Sequence, residues 1–363
     1  MAISRRTLLS GAAALAVAPA VVTGGRAFGQ DKTIKLTVAA SHPVQIPWVE
    51  PLKTIMVAKS NEKLEAMKSS HRINWTEAFG GSLYGFQDTL TAVTNGLTDI
   101  GWIGALWEPA KLPLQNIMYS TPFATNSVKQ AVDVMNLLND KNASVKKEWE
   151  SNKVVCFGAC VSDGYHLFTK FPINSLDDLK GKKILGPPVC APWLQGAGAT
   201  LVVAGLPVQY SQLQTGIGDG VILIATGAWP LKIHEVAPYI TEIDTGPLTF
   251  GGSAMNADSY KRMPPEVQKV LSELGREYSA ENARLIGVRY ELAMKNMAAN
   301  GAKISKMSQA DRKKFVDAMP PLGKLWVEQN EKKGIPARQI MSEFMNTVRA
   351  QGGKPLRDWD KEV

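Results

Sequence analysis

The alternation of strand-like and helix-like segments is the feature that most restricts the fold of this chain. A strand-like segment at residues 33–41 is followed by helical spacing at 52–67, by a second strand-like segment at 72–78 and by a helix that ends near Gly96. Strands that alternate with helices build a parallel or mixed sheet with helices on both faces. We therefore predict an α/β unit in the first half of the chain.

The same alternation returns in the second half. Strand-like segments at 153–159, 167–173 and 219–225 are separated by glycine- and proline-rich turns and short helical segments. Residues 264–300 then form either one long helix or two helices with a kink near Gly287, and one helix of this length spans roughly 50 Å. Two such units predict two α/β lobes with a cleft between them, where small ligands usually bind.

The first 29 residues have the composition of an export signal. The pair Arg5-Arg6 precedes an apolar run at residues 8–22 that is rich in alanine and glycine. This run is shorter than the roughly 20 residues of a typical membrane-spanning helix. This order resembles a twin-arginine signal, and an ordinary secretory signal is the alternative. We predict cleavage of residues 1–29, a periplasmic mature chain and no membrane span after cleavage.

Composition and spacing argue against several other functions. Hydrophobic residues at 45% and charged residues at 20% are typical of a soluble globular protein. The lysines are scattered, so no basic stripe for nucleic acid is evident. The four histidines lie far apart in sequence, and the glycines of 215–220 match neither dinucleotide nor phosphate-loop spacing. We therefore predict no metal, no cofactor, no catalytic residues and no enzyme activity.

Four segments then resemble one known family. They are "NGLTDIGWIGALWEPAKLPLQNIMYSTPF" at 95–123, "YHLFTKFPINSLDDLKGKKI" at 165–184, "LQTGIGDGV" at 213–221 and "KIHEVAPYI" at 232–240, and they are similar to segments of the DctP (C4-dicarboxylate-type) solute-binding proteins of TRAP transporters. The resemblance extends, in order, over nearly all of residues 33–349.

This resemblance implies a two-lobed, type II-like periplasmic binding protein whose lobes are joined by crossing strands and a long bridging helix. The first lobe would comprise residues 31–162 and about 251–290, and the second 163–250 and about 291–363. The implied partners are a small-molecule ligand and the TRAP membrane permease subunits. The implied function is capture of a small polar organic solute and its delivery to the permease.

The usual carboxylate anchor of the family is absent at both matching positions. Relatives place an arginine in the strand after the "LKG" motif, and the matching residue here is Leu185, while Tyr165 matches a second family arginine. A guanidinium suits this role because it donates two parallel hydrogen bonds and stays charged when buried. No arginine occurs between Arg72 and Arg262. The ligand is therefore expected not to be a conventionally clamped carboxylate.

The candidate ligand-binding residues combine these anchor positions with residues at or after strand ends, many of them aromatic. They are His42, Trp48, Trp102, Trp107, Tyr165, Leu185, Trp193, Thr226 and Trp229. Aromatic rings can bind an apolar group or attract a cation, and each ring can also be ordinary core packing. For a cationic ligand, Asp163 or Asp244 would supply a counter-charge.

Alternative ligands and functions remain open at this point. A neutral or amine-bearing solute is favoured, but a carboxylate or sulfonate would bind if Lys170, Lys183 or a helix N-terminus replaced the arginine. A receptor that presents its ligand to a sensor protein has the same sequence signature as a transport receptor. A periplasmic enzyme is the third possibility, and no nucleophile or cofactor pattern supports it.

Overall fold

The structure is a computed structural model that describes residues 32–363, and the predicted export signal lies outside this range. The strands within it are β1 (Lys32–Ala39), β2 (His71–Ala78), β3 (Ile100–Ile103), β4 (Val154–Ser162), β5 (Tyr165–Thr169), β6 (Lys183–Gly186), β7 (Thr200–Val203), β8 (Gly220–Ile224), β9 (Tyr239–Glu242), β10 (Leu248–Asn256) and β11 (Lys303–Lys306).

The α-helices in the same range are α1 (Ala58–Ala66), α2 (Thr89–Thr94), α3 (Val128–Lys141), α4 (Ala143–Ser151), α5 (Ala191–Gln195), α6 (Leu206–Gln214), α7 (Ala225–Ala228), α8 (Ile233–Val236), α9 (Ala257–Lys261), α10 (Pro265–Ala299), α11 (Gln309–Ala318), α12 (Leu322–Glu331) and α13 (Ala337–Ala350). A π-helical segment, Leu52–Val57, runs directly into α1. Short 3-10 helices occur at Ala105–Trp107, Ile117–Ser120, Leu176–Leu179, Pro188–Cys190 and Trp359–Lys361.

The strands form two mixed sheets. The first has the order β2-β1-β3-β10-β4. Strand β1 is parallel to both β2 and β3, whereas β10 is antiparallel to both β3 and β4. The second has the order β11-β9-β5-β8-β6-β7, with β6 parallel to β7 and β8. This arrangement confirms the predicted two-lobed α/β fold.

Three connections join the two sheets. Only Asp163 and Gly164 separate β4 of the first sheet from β5 of the second, and residues 243–247 lead from β9 back to β10. The third connection is α10, which packs on β4, α3 and α1, also contacts α7, and then leads into β11. The predicted bridging helix is therefore one continuous helix and not two.

Buried apolar residues from both sheets belong to one core. They include Val38 of β1 and Ile222 of β8, both fully buried. The C-terminal segment also contacts both lobes, because α13 packs on α3 whereas α11 contacts the 3-10 helix Leu176–Leu179. The predicted lobe boundaries at residues 31–162, 163–250, about 251–290 and about 291–363 stay a prediction.

Local sequence signals account for several element ends. Ser308 precedes α11, and its hydroxyl oxygen accepts a hydrogen bond from the backbone N–H of Asp311 at 3.1 Å, as expected of an N-cap. Helix α5 ends at Gln195, and β7 follows at Thr200. Gly198 has a φ of +70°, a left-handed conformation that ends a helix.

The bridging helix lies against the first lobe at a point where two glycines meet. A Cβ atom on Gly158 of β4 would overlap the carbonyl oxygen of Gly275 in α10, and a Cβ on Gly275 would overlap backbone and side-chain atoms of Phe157. Side chains at either position would therefore push α10 away from β4.

We expect Gly158→Ala to lower the free energy of unfolding by at least about 1–3 kcal/mol, the usual cost of overpacking, because the neighbouring atoms are backbone. Gly287→Ala in the same helix is the matched control, since no atom lies within 4 Å of its added Cβ. The control should be neutral or stabilising by up to about 1 kcal/mol. Urea denaturation of both variants tests this, and equal stabilities would contradict the packing argument.

Candidate functional site

A narrow cavity lies between the two sheets, and we call it the interlobe cavity. Its free volume is about 20 Å³, room for about one water molecule, so a ligand enters only when the lobes move apart. Eleven residues from both lobes line it: Phe86, Leu106, Trp107, Tyr165, Pro187, Ala204, Leu206, Gln209, Leu223, Ile224 and Phe250.

Strand ends bring these residues together. Leu106 and Trp107 belong to the 3-10 helix that follows β3 of the first sheet, while Pro187 and Ile224 lie at the ends of β6 and β8 in the second. Because β6 and β8 are parallel neighbours, their carboxyl ends meet at the same edge, where α/β sheets place ligand sites. The lobes also touch here, since the ring of Phe86 is in van der Waals range of the Cβ position of Gly205.

The lining of the interlobe cavity carries no charge. Among the described residues that form it, none is Asp, Glu, Lys, Arg or His. The phenol of Tyr165 is 2% exposed, and burial raises its pKa well above the usual value, so it stays neutral. The site is therefore suited to an uncharged ligand.

An aromatic cluster of His42, Trp48 and Trp102 packs behind Phe86 and Phe250. The ring centroid of His42 lies 4.8 Å from that of Phe86 and 5.1 Å from that of Trp102. Trp48 lies 4.5 Å from Phe250. The three predicted residues thus support the cavity lining from behind and do not line it themselves.

The imidazole of His42 is neutral in this cluster. Burial lowers its pKa to about 4, because the charged form loses hydration without gaining a counter-charge. His42 therefore adds no positive charge behind the cavity at neutral pH.

Three further aromatic residues form a contact near the cavity. The ring centroid of Trp193 lies 5.9 Å from that of Tyr119 and 5.8 Å from that of Tyr165. Its indole Nε1–H donates to the carbonyl oxygen of Tyr119 at 2.9 Å. The ring of Trp193 is therefore packed against two tyrosines, and its N–H group already has a hydrogen-bond partner. Tyr165 contacts Trp193 and also lines the cavity.

The remaining predicted residues lie outside the lining. Leu185 is fully buried, and its side chain packs against Gly218. The Thr226 hydroxyl donates to the carboxylate of Asp163 at 2.5 Å, and Trp229 stacks on His234 at 5.2 Å. Of the nine predicted residues, the structure places Trp107 and Tyr165 at the cavity surface.

The two candidate counter-charges face elsewhere. Asp163 and Asp244 line a second, wider cavity on the side of the crossing segments and α10. Burial raises the pKa of Asp163 to about 6, against hydrogen bonds from Thr226 and Ala225 that lower it. Asp244 pairs with Arg312. Neither carboxylate is available to a cation in the interlobe cavity.

Two lining residues keep polar atoms without a partner among the described residues. They are Nε1 of Trp107 and Oε1 of Gln209, both buried. The other amide atom of Gln209, Nε2, donates to the carbonyl oxygen of Ala204 at 3.1 Å. Unpaired buried polar groups are costly, so these atoms are candidate ligand contacts.

Sequence reasoning missed Phe86, Gln209 and Phe250. Phe86 lies in a glycine-containing loop, Gln209 is an ordinary polar residue of a short helix, and Phe250 lies inside a strand. No local pattern distinguishes them, because their position depends on how the lobes meet. The structure shows no cluster of His, Cys, Asp and Glu suited to a metal within residues 32–363.

Comparison with known proteins gives one family match. The DctP family, described as bacterial extracellular solute-binding protein, family 7, matches residues 52–330. The outer membrane transporter protein TsaT of Comamonas testosteroni is 22% identical over 304 residues, which cover 82% of this chain and 84% of that protein.

Two solved structures illustrate the shared fold. A TRAP solute-binding protein from Rhodoferax ferrireducens, in complex with copurified benzoate, is 19% identical with a TM-score of 0.74, covering 87% of this chain and 98% of that one. The periplasmic ectoine-binding protein of a TRAP transporter from Halomonas elongata is 17% identical with a TM-score of 0.72, covering 87% and 100%. Because the family match extends over more than half of the sequence, the chain belongs to the DctP family of bacterial extracellular solute-binding proteins.

Proposed function

We propose that this solute receptor serves a TRAP transporter, captures a small uncharged organic molecule in the interlobe cavity and delivers it to the membrane permease. The observation that carries the proposal is the uncharged lining of that cavity, to which both lobes contribute. Family membership supports the receptor role, and the TRAP proteins among the structural neighbours support the permease as partner.

The absence of a charged partner disfavours a buried carboxylate. An ionised carboxylate taken out of water without a cation or several hydrogen bonds costs several kcal/mol. Leu185, at the position of the family arginine, is 0% exposed and apolar. An uncharged ligand avoids this cost, and its apolar surface contributes about 25 cal/mol per Å² buried against the aromatic lining.

The other anchors considered for an acid are also engaged elsewhere. The ammonium group of Lys170 donates to the carbonyl oxygen of Leu213, and Lys183 is exposed at the start of β6. The first amides of α7 already donate to Asp163, from Ala225 at 2.7 Å. These contacts support a neutral ligand over an acid held in a different way.

Closure of the lobes supplies the mechanism. A ligand in the interlobe cavity touches residues of both sheets, so it stabilises the closed arrangement by the contacts that closure adds. The permease then meets a closed receptor only when the ligand is present.

The place of action is inferred to be the periplasm. The predicted signal at residues 1–29 supports this location, as does the extracellular description of the family. In residues 32–363, every helix is too short or too polar to qualify as a membrane span. The mature receptor would therefore act in the periplasm next to its permease.

The ligand class is tested on the purified protein. We expect mass spectrometry of solute released by denaturation to find an uncharged small molecule. In a thermal-shift screen, neutral compounds should raise the melting temperature and dicarboxylates should not, because only the acids lose hydration of a charge. Stabilisation by dicarboxylates alone would reject the proposed ligand class.

The site itself is tested with the variant Phe86→Ala. Loss of the ring should weaken binding of the identified solute about tenfold or more, from the apolar area no longer buried. Phe171→Ala is the matched control. It also removes a half-buried ring, but this ring lies outside the cavity lining, 4.7 Å from the ammonium nitrogen of Lys182. The Phe171→Ala variant should bind the solute normally.

Binding by the unaltered protein should also be insensitive to salt. Raising NaCl to roughly 1 M screens charge interactions strongly, so calorimetric titration should give a nearly constant affinity. A steep loss of affinity with salt would show that the ligand is held by charge.

A further inference from the structure

We infer that Trp107 and Gln209 select a ligand that carries both a hydrogen-bond acceptor and a hydrogen-bond donor, as in an uncharged carboxamide or lactam. This inference rests on the proposed function and names the substrate class more closely. It is carried by two buried polar atoms without a partner among the described residues, one from each lobe, on residues that line the same cavity.

Gln209 supplies the acceptor. Its side chain is 1% exposed in α6, and the bond from Nε2 to the carbonyl oxygen of Ala204 sets the orientation of the amide. The oxygen Oε1 is left buried and unpaired. An amide oxygen only accepts hydrogen bonds, so the matching ligand group must be a donor.

Trp107 supplies the donor. Its ring packs edge-on against Phe86, with centroids 4.8 Å apart, and its Nε1 atom is buried without a partner. An indole N–H only donates, so the matching ligand group must be an acceptor. Because Trp107 follows β3 and Gln209 lies between β7 and β8, a ligand that pairs with both connects the lobes.

A carboxamide satisfies both atoms without a charge. Its carbonyl oxygen accepts from Trp107, and its N–H donates to Gln209. A ketone of the same shape leaves the oxygen of Gln209 unpaired. A carboxylate is worse, because it places a negative oxygen against that oxygen and lacks a charged partner. A site built for hydrogen bonds rejects analogues that lack them more strongly than it rejects a change of size.

The test uses three probes of nearly equal shape, titrated calorimetrically into the full mature protein: benzamide, acetophenone and benzoate. We expect benzamide to bind about tenfold or more tightly than acetophenone, since one unpaired buried group costs about 1–3 kcal/mol. Benzoate should bind most weakly of the three.

Variants identify the atoms responsible. Gln209→Met should abolish the preference for benzamide over acetophenone, and Trp107→Phe should weaken both neutral probes by a similar factor while it keeps the aromatic ring. Gln212→Met is the matched control, because Gln212 lies in the same helix with an unpaired Oε1 but outside the cavity lining. It should leave all three affinities unchanged. Circular dichroism melts confirm that each variant is folded.

The outcomes separate the inference from the proposed function. Equal binding of benzamide and acetophenone, a preference that survives Gln209→Met, or no binding by either neutral probe overturns the inference. Tightest binding by benzoate overturns the proposed uncharged ligand class. If Trp107→Phe folds normally and binds both neutral probes as the unaltered protein does, the donor role of Trp107 is rejected.

Discussion

The crossing between β4 and β5 is the constraint on which the rest of the structure depends. With only two residues between the strands, the end of the first sheet determines where the second begins. The carboxylate of Asp163 strengthens this crossing, because it accepts hydrogen bonds from the backbone of Ala225 and from the hydroxyl of Thr226. These bonds tie the crossing to α7, directly after β8. Tyr165 then starts β5 at the cavity between the lobes.

The contact between α10 and β4 gives this crossing a rigid support. Glycines on both sides let the helix lie directly on the strand, and α10 then continues past the second lobe into β11. A cavity between lobes held in this way can be small and well shaped. The described residues that line this cavity are uncharged, so the proposed ligand would be held without an ion pair.

Much of the fold was predictable from the sequence, because strand and helix periodicity is local. The alternation of elements, the N-cap at Ser308 and the long helix at 265–299 all follow from patterns within a few turns of chain. The site was predicted only in part. Trp107 follows a strand end, where such patterns are informative, whereas Gln209 and Phe250 acquire their role from the approach of the opposite lobe.

The sequence by itself determined the α/β class, the family and the lack of an arginine at residue 185. Each of these depends only on local sequence patterns or on the identity of single residues. Only the tertiary structure decided which aromatic residues line the interlobe cavity and which pack behind them. His42, Trp48 and Trp102 pack behind the lining, and Trp193 donates its indole N–H to a backbone carbonyl. The reason is physical: whether a side chain faces a cavity depends on contacts between residues far apart in sequence.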